Sequence, residues 1–401
     1  MTEIMPTPSS APIPDRIRTL LAGLVGFDTV SDRSNLPLIG YIEDYLASFG
    51  ITGQRIVDTT GQKASLWVTI GPQDKPGIVL SGHTDVVPVE GQAWTHNPFE
   101  MVERDGRLYG RGTTDMKGFV ATCLAMVPEM QRASLATPIH LAISYDEEIG
   151  CVGVRPLLKI LSQAAVKPLG CFVGEPTSME LAIGHKGKHG VRASFRGLAC
   201  HSSTAPAGVN AIEHAALLIT EISRRAAHLA AAGARDELYD VPHTTLLTAI
   251  VRGGTALNIV PDACTIEFEA RGLGIAESKE VTDSLVAWAR ETIEPVMQKA
   301  NPACGIDFEE ILEYPALDMP ADHSWVTLAK QLSGRNRHCK VAFGTEAGLF
   351  VSMAGIPSVV IGPGSISQAH KPDEYVELSE LLKCAQFIER VIAHCARGNP
   401  S

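Results

Sequence analysis

IVLSGHTDVVP, residues 78–88, joins an apolar and β-branched run to a histidine and an aspartate. A helix is predicted at residues 118–130, and IHLAIS at residues 139–144 has the composition of a second buried strand. Further strands are predicted at residues 65–70 and 170–173. Strands that alternate with helices in this way predict an α/β sheet with helices packed on its faces.

The order of predicted elements changes after residue 183. A strand, a helix, two strands, a helix and a final strand follow, at residues 190–195, 210–225, 244–251, 263–270, 278–298 and 306–311. This β-α-β-β-α-β order is typical of a ferredoxin-like domain. Because 401 residues exceed the usual size of one hydrophobic core, we predict two domains. The catalytic domain comprises residues 1–183 and 314–401, and residues 184–313 form the insertion.

Composition excludes some classes of partner. The net charge of −11 argues against a nucleic-acid or anionic-membrane surface, and no apolar run approaches the length of a membrane span. Nine cysteines without a CxxC pair favour free thiols in a reducing compartment. The N-terminus lacks the pattern of a signal peptide, so the expected location is the cytoplasm.

Histidines and carboxylates follow the predicted strands or lie in nearby loops. They occur in five segments: SGHTDVVP (His83, Asp85), GRGTTDMKG (Asp115), YDEEIG (Glu147, Glu148), VGEPT (Glu175) and QAHKPDE (His370). Each of these residues, taken singly, can be explained without a metal. Asp115, for example, could simply hydrogen-bond the backbone of its own Gly-rich turn. Their joint occurrence, with imidazole and carboxylate but no thiolate, favours a hydrolytic zinc or cobalt centre.

In this order the five segments resemble the family of dinuclear zinc hydrolases that contains aminoacylases, carboxypeptidases and acetylornithine deacetylases. The resemblance extends from about residue 27 to residue 394. It implies a mixed-sheet, zinc aminopeptidase-like α/β catalytic domain with an inserted α+β ferredoxin-like lid and dimerisation domain. It also implies that His83 and Glu175 bind one Zn²⁺, that Glu148 and His370 bind a second, and that Asp115 bridges them. Co²⁺ is the alternative metal.

Three features near the metals follow from the same resemblance. Asp85 orients His83 through the ring nitrogen that does not bind metal. Family members carry a cis peptide after the bridging aspartate, here between Asp115 and Met116. Amide hydrolysis needs a group that takes a proton from water and delivers it to the leaving nitrogen. Glu147, which is not a ligand in the family pattern, is predicted to be that general acid/base.

The inserted domain carries further residues that the resemblance implicates. His201, in LACHSST, matches a histidine that reaches from the partner subunit and hydrogen-bonds the oxyanion, so a homodimer is expected. Asn258 and Arg271 match residues near the substrate carboxylate, which an arginine fork binds well. The sequence departs from many relatives here, because Ala270 precedes Arg271 where they carry an aspartate.

Substrate choice is predicted to depend on GTEAGLF, residues 344–350, through Gly344, Thr345 and Glu346. This segment resembles the acetylornithine deacetylase branch, which implies hydrolysis of N2-acetyl-L-ornithine to L-ornithine and acetate, a step of arginine biosynthesis. The alternatives are a succinyl-diaminopimelate desuccinylase, a dipeptidase, or an amidohydrolase for N-carbamoyl or other N-acyl amino acids, which share the metal core. A more distant alternative is a non-catalytic binding protein on the same fold.

Overall fold

The computed structural model describes residues 11–397, so residues 1–10, used above to predict location, lie outside the described part. The chain divides into two compact units. Of the described residues, the first unit contains 11–184, 319–339 and 345–397, and the second contains 185–318 and 340–344. Within the second unit the ammonium of Lys340 lies 2.7 Å from Asp236 and 2.5 Å from Asp318.

Helices and strands alternate through most of the chain. The helices are α1 Ile13–Val25, α2 Leu36–Ala47, α3 Lys117–Ala125, α4 Val127–Arg132, α5 Arg155–Ser162, α6 Ala211–Ala232, α7 Glu277–Thr292, α8 Glu294–Ala300, α9 Ser324–Ser333, α10 Ala347–Ala354 and α11 Leu378–Arg397, with a 3₁₀ helix at Ser202–Ala207. The strands are β1 Gln54–Val57, β2 Ala64–Ile70, β3 Ile78–His83, β4 Val102–Arg104, β5 Arg107–Tyr109, β6 Ile139–Ser144, β7 Gly170–Val173, β8 Ala182–His185, β9 Gly187–Arg196, β10 Thr245–Gly253, β11 Ala263–Gly272, β12 Gly305–Tyr314, β13 Leu317–Asp318, β14 Cys339–Val341, β15 Ser358–Val360 and β16 Tyr375–Glu377.

The large sheet has the order β1-β2-β6-β3-β7-β15-β8. Strands β6, β3, β7 and β15 run parallel, whereas β1, β2 and β8 pair antiparallel with their neighbours, so the predicted mixed sheet is confirmed. All residues of β3 and β6 are buried, which explains their nearly continuous apolar runs. The carboxyl ends of the four parallel strands meet at one edge, where open α/β sheets place their sites.

The second unit has its own antiparallel sheet in the order β10-β11-β9-β12. Its elements follow the predicted β-α-β-β-α-β order of a ferredoxin-like fold. The core contains Phe195, Phe268 and Ile266 from the sheet and Leu218 and Leu285 from helices α6 and α7. Alternating apolar residues on β9 and β11 therefore fill the face that the two helices cover.

Two predicted helices are each divided in the structure. Residues 118–130 form α3 and α4, and residues 278–298 form α7 and α8. Pro128 and Pro295 lie in the first turns of α4 and α8. Proline lacks the backbone N–H that a continuous helix requires and collides with the carbonyl four residues earlier, so a new helix begins at each position.

Two expectations from composition agree with the described residues. The nine cysteines are all free thiols, and seven of them are buried. Among residues 11–397, no helix combines the length and the apolar character that crossing a bilayer requires.

The buried imidazole of His140, which stacks on Trp67, is expected to make the free energy of unfolding depend on pH. Their ring centroids lie 4.6 Å apart, and burial lowers the pKa of His140 to about 4. Between this pKa and the ordinary value near 6.5, the unfolded chain binds a proton that the native protein does not. Acidification from pH 7 to pH 5 is therefore expected to remove about 2 kcal/mol from the free energy of unfolding through His140 alone.

Urea unfolding at both pH values checks this expectation. The His140→Phe variant keeps an aromatic ring against Trp67 but has no proton to bind, so its stability is expected to fall less on acidification. His228→Gln, at an exposed position, controls for the loss of a histidine. Equal losses of stability in the wild type and in His140→Phe contradict the expectation.

Candidate metal centre

The predicted metal ligands converge at the carboxyl edge of the parallel strands. His83 is the last residue of β3, Glu148 follows β6, and Glu175 follows β7. Asp115 precedes helix α3, and His370 lies in the loop that follows β15. Residues far apart in sequence therefore meet because their strands are neighbours and parallel.

The distances place Asp115 between the two histidines. Its Oδ1 lies 3.2 Å from His83 Nε2, and its Oδ2 lies 3.3 Å from His370 Nε2. Glu175 Oε1 is 3.7 Å from His83 Nε2, and Glu148 Oε2 is 3.1 Å from His370 Nε2. One carboxylate thus contacts two imidazoles, each with its own glutamate. The peptide bond between Asp115 and Met116 is cis, as the resemblance implied.

The cluster concentrates negative charge in a buried place. Burial raises the pKa of Glu148 to about 7 and raises the pKa of Glu175 well above its usual range. Hydrogen bonds to Asp115 and Glu148 raise the pKa of His370 to about 10. Among the described residues, Glu148 Oε1 and Glu175 Oε1 are buried without a hydrogen-bond partner. A divalent cation fits this donor set, because it neutralises the carboxylates and occupies their free oxygens.

Asp85 supports more than the histidine beside it. His83 Nδ1 lies 2.9 Å from the Asp85 backbone carbonyl and 3.3 Å from its carboxylate, so both groups orient the ring. The same carboxylate accepts the backbone N–H groups of Glu147 and Glu148 at 3.1 and 3.2 Å and the hydroxyl of Ser31 at 2.8 Å. Asp85 therefore connects the strand that carries one ligand to the loop that carries another.

Glu147 lies beside two of the candidate metal ligands. One donor atom each of His83, Glu147 and Glu175 lie within 4.8 Å of one another. The thiol of Cys151 donates a hydrogen bond to Glu147 Oε1 at 3.3 Å, and burial raises the pKa of this carboxyl well above its usual range. This position suits a proton carrier at the site, and by distance alone it also suits a ligand.

Thr345 and Glu346 are fully buried in the first unit. The Thr345 hydroxyl accepts the backbone N–H of Ala347, the first residue of helix α10, at 3.0 Å. Glu346 Oε2 accepts a hydrogen bond from Ser81 on β3 at 3.3 Å, whereas Glu346 Oε1 has no partner among the described residues. Burial raises the pKa of Glu346 to about 7. Their predicted contact with substrate stays a prediction.

The other predicted residues lie in the second unit. His201 is exposed, and its Nδ1 accepts the backbone N–H of Ser203 at 3.2 Å. Asn258 is also exposed and lies close to it, because residues 201 and 259 form an isolated β-bridge. Arg271 is partly exposed, and its Nε lies 2.9 Å from Glu269. At Gly344 a β-carbon would lie 2.0 Å from the Tyr314 ring, so a larger residue requires that ring to move. The roles of these residues stay predictions.

Sequence reasoning missed a buried ion pair behind the metal ligands. Arg111 and Glu374 are 2.6 Å apart, and each is only 1% exposed. Both residues stand in motifs that carry ligands, GRGTTDMKG and QAHKPDE. The opposite charges of Arg111 and Glu374 in these two motifs were a signal that the sequence offered, but the sequence did not show that the two side chains meet.

A mixed sheet with imidazoles and carboxylates gathered at the carboxyl ends of its parallel strands is the arrangement of a metal-dependent hydrolase. The chain belongs to peptidase family M20/M25/M40, whose model matches residues 79–394. It is thus a metal-dependent amidohydrolase or peptidase of that family.

Similar proteins agree with this assignment. The chain is 32% identical over 368 residues to the acetylornithine deacetylase of Proteus mirabilis, covering 91% of both proteins. Aminopeptidase PepT from Bacillus cereus superposes with a TM-score of 0.74 at 22% identity, covering 94% of this chain and 98% of PepT. The Bacillus subtilis YXEP protein, a dinuclear metal-binding peptidase of family M20, has a TM-score of 0.66 at 15% identity and covers 95% and 97%. At these identities the two structures establish the fold alone.

Proposed function

We propose that this protein hydrolyses N2-acetyl-L-ornithine to L-ornithine and acetate, with two Zn²⁺ ions per subunit, in the cytoplasm and in arginine biosynthesis. The observation that carries the proposal is the likeness to acetylornithine deacetylase over 91% of both chains. The buried carboxylate of Glu346 supports it, because its free Oε1 offers a partner for the ammonium of an ornithine side chain.

In this mechanism the residues around Asp115 would hold two cations. His83 and Glu175 would hold one ion, Glu148 and His370 would hold the other, and Asp115 would serve both, an assignment that the short distances between these side chains support. Bound zinc supplies Lewis acidity toward water and the acyl carbonyl. Asp85 orients His83 and fixes the loop of Glu148, so the ligands are held in place before substrate binds.

Glu147 performs the proton transfers. Its carboxylate removes a proton from the attacking water and later delivers it to the nitrogen of the departing amino acid. The donor atoms of His83 and Glu175 lie within 4.8 Å of the Glu147 carboxylate, so this group is close enough to the candidate metal ligands to carry a proton in both steps. The partner subunit's His201 donates to the developing oxyanion, and Asn258 and Arg271 bind the α-carboxylate of the substrate.

The proposed homodimer forms through the second unit. Strand β10 lies at the edge of its sheet, and Leu247 and Val251 on it are 46% and 52% exposed. Helix α6 packs next to β10 and exposes Leu217 at 51%. An edge strand with exposed apolar side chains is a template for pairing with another chain. A second copy supplies the matching edge through twofold symmetry.

A substrate panel tests the proposal. N-acetyl, N-succinyl and N-carbamoyl ornithine, N-acetylnorvaline and a dipeptide are compared by kcat/KM, with N-acetylornithine expected to be the best substrate. In Glu346→Gln the preference for N-acetylornithine over N-acetylnorvaline is expected to fall by about tenfold or more, because the ammonium loses its charged partner. The ratio of two substrates on one protein corrects for any loss of active enzyme.

Other outcomes of the panel lead to other conclusions. If an N-succinyl, N-carbamoyl or dipeptide substrate has a higher kcat/KM than N-acetylornithine, the protein has another amidase activity of the family and is not an acetylornithine deacetylase. An unchanged ratio in Glu346→Gln, with both substrates slowed equally, means that Glu346 supports the metal site through Ser81, two residues before His83.

A further inference from the structure

Arg111 and Glu374 form a buried ion pair at the candidate metal centre. Arg111 Nη1 lies 2.6 Å from Glu374 Oε2, and both side chains are 1% exposed. Removing two charges from water is costly, and apolar residues often replace such pairs without loss of stability. Fold stability alone therefore explains the pair poorly, and its other contacts indicate its role.

The second oxygen of Glu374 binds the backbone that carries Asp115. Glu374 Oε1 accepts the N–H of Thr114 at 2.9 Å and the N–H of Asp115 at 3.1 Å. The hydroxyl of Thr114 donates to the carbonyl of Tyr375 at 2.6 Å, next to Glu374 in the chain. These three hydrogen bonds, together with one from the Gly110 N–H to the Glu374 carbonyl at 2.9 Å, connect the loop that ends in Asp115 to the segment after His370.

Arg111 extends the same network to His370. Arg111 Nη2 donates to Gln92 Oε1 at 2.6 Å, and Gln92 Nε2 donates to the His370 carbonyl at 3.1 Å. His370 has a φ of +63°, in the left-handed region that a residue other than glycine seldom adopts. The contact from Gln92 holds the backbone at this residue, and Arg111 holds Gln92.

We propose that Glu374, held by Arg111, is a positioning residue that sets the backbone of Asp115 and, through Gln92, of His370, and so determines metal affinity. The inference rests on the proposed function, which assigns Asp115 and His370 as ligands. Glu374 contacts neither the substrate nor the reacting atoms, and it acts through the two ligands. Asp85 has the equivalent position on the opposite side, where it binds the N–H groups of Glu147 and Glu148.

The test is Co²⁺ binding to metal-free protein, measured against a competing chelator and by the visible absorption of the bound ion. In Glu374→Gln the remaining oxygen can accept the N–H groups of Thr114 and Asp115 only if the new NH₂ group faces Arg111. Arg111 is itself a donor, so this arrangement places two donors against each other. We expect about 10- to 100-fold weaker Co²⁺ binding, the usual effect of removing a partner of the ligands. We also expect a changed absorption spectrum, because the ligand geometry changes.

Glu129→Gln is the matched control. Glu129 lies 2.6 Å from the buried Arg16 in the same unit, away from the ligand loops. This variant also breaks an Arg–Glu pair and lowers the thermal midpoint, but its Co²⁺ affinity and spectrum are expected to equal those of the wild type. A role limited to fold stability predicts that both variants bind Co²⁺ normally once folded.

Gln92→Leu covers the case in which Glu374→Gln does not fold. This variant leaves the ion pair between Arg111 and Glu374 intact and removes the hydrogen bond to the His370 carbonyl. We therefore expect weaker binding of the Co²⁺ ion that Glu148 and His370 are proposed to hold. Wild-type spectra and affinities in Glu374→Gln, or in Gln92→Leu if the first variant is unfolded, overturn the inference. If the wild type itself binds no Co²⁺ or Zn²⁺, the proposed function fails instead.

Discussion

Glu147→Ala is expected to lower kcat by about 10²–10⁴-fold while both metal ions stay bound. The carboxylate of Glu147 lies within 4.8 Å of donor atoms of His83 and Glu175, two of the candidate metal ligands. Without it, the proton of the attacking water and the proton for the leaving nitrogen have no carrier of suitable pKa. Metal binding is affected less, since all five proposed ligands remain.

The measurement combines steady-state kinetics with elemental analysis of dialysed protein. Glu147→Gln preserves the shape of the side chain and is expected to lose activity to a similar extent, which separates proton transfer from packing. Glu148→Ala is the contrasting control, since loss of a proposed ligand releases metal as well as activity. If Glu147→Ala also loses one equivalent of metal, Glu147 is a ligand, which its distances allow. Near-normal turnover removes it from the proton-transfer role.

Mixing two inactive variants, Glu147→Ala and His201→Ala, is expected to restore about a quarter of the wild-type specific activity if His201 acts in the partner's site. Half of the dimers in an equal mixture are heterodimers. In each heterodimer one site retains Glu147 and receives the partner subunit's His201, while the other site lacks both groups. A histidine that acts within its own subunit leaves every site with one defect, so no activity returns.

Subunit exchange is first verified with two differently tagged copies. The control mixture pairs Glu147→Ala with a variant that carries both substitutions, because no site then contains both residues under either model. Confirmed exchange without recovered activity rejects the action of His201 across the dimer. A monomer in solution rejects the dimer itself and assigns the exposed residues on β10 and α6 to another contact.

Much of this architecture was predictable from local patterns. The apolar runs at residues 78–80 and 139–144 predicted two strands of an α/β sheet, and the structure shows that both are buried and that they pair in parallel. The change of pattern after residue 183 identified the ferredoxin-like order of the second unit. Division of two predicted helices at Pro128 and Pro295 was missed, although proline in the chain was the available signal.

The candidate ligands could be predicted from motifs that resemble the family, whereas the ion pair behind them could not. Metal binding restricts a site to a few residue types, so His83, Asp115 and the other candidates stand out in the sequence. Arg111 and Glu374 carry no such restriction, since either residue alone is compatible with an exposed surface. Their burial against one another depends on how two loops, more than two hundred residues apart in the chain, meet at one edge of the sheet.

Local sequence patterns were enough to predict the main strands and helices, the ferredoxin-like order of the second unit and the side chains available for metal. Hydrophobic periodicity and ligand chemistry are local properties that a chain carries before it folds. The folded chain was needed to show that Asp115 contacts both histidines and that Asp85 and Glu374 bind the backbone beside the candidate ligands. It was also needed to show that Glu346 is buried with one oxygen unpaired among the described residues. These are properties of distance and burial, which exist only after parallel strands have brought remote loops together.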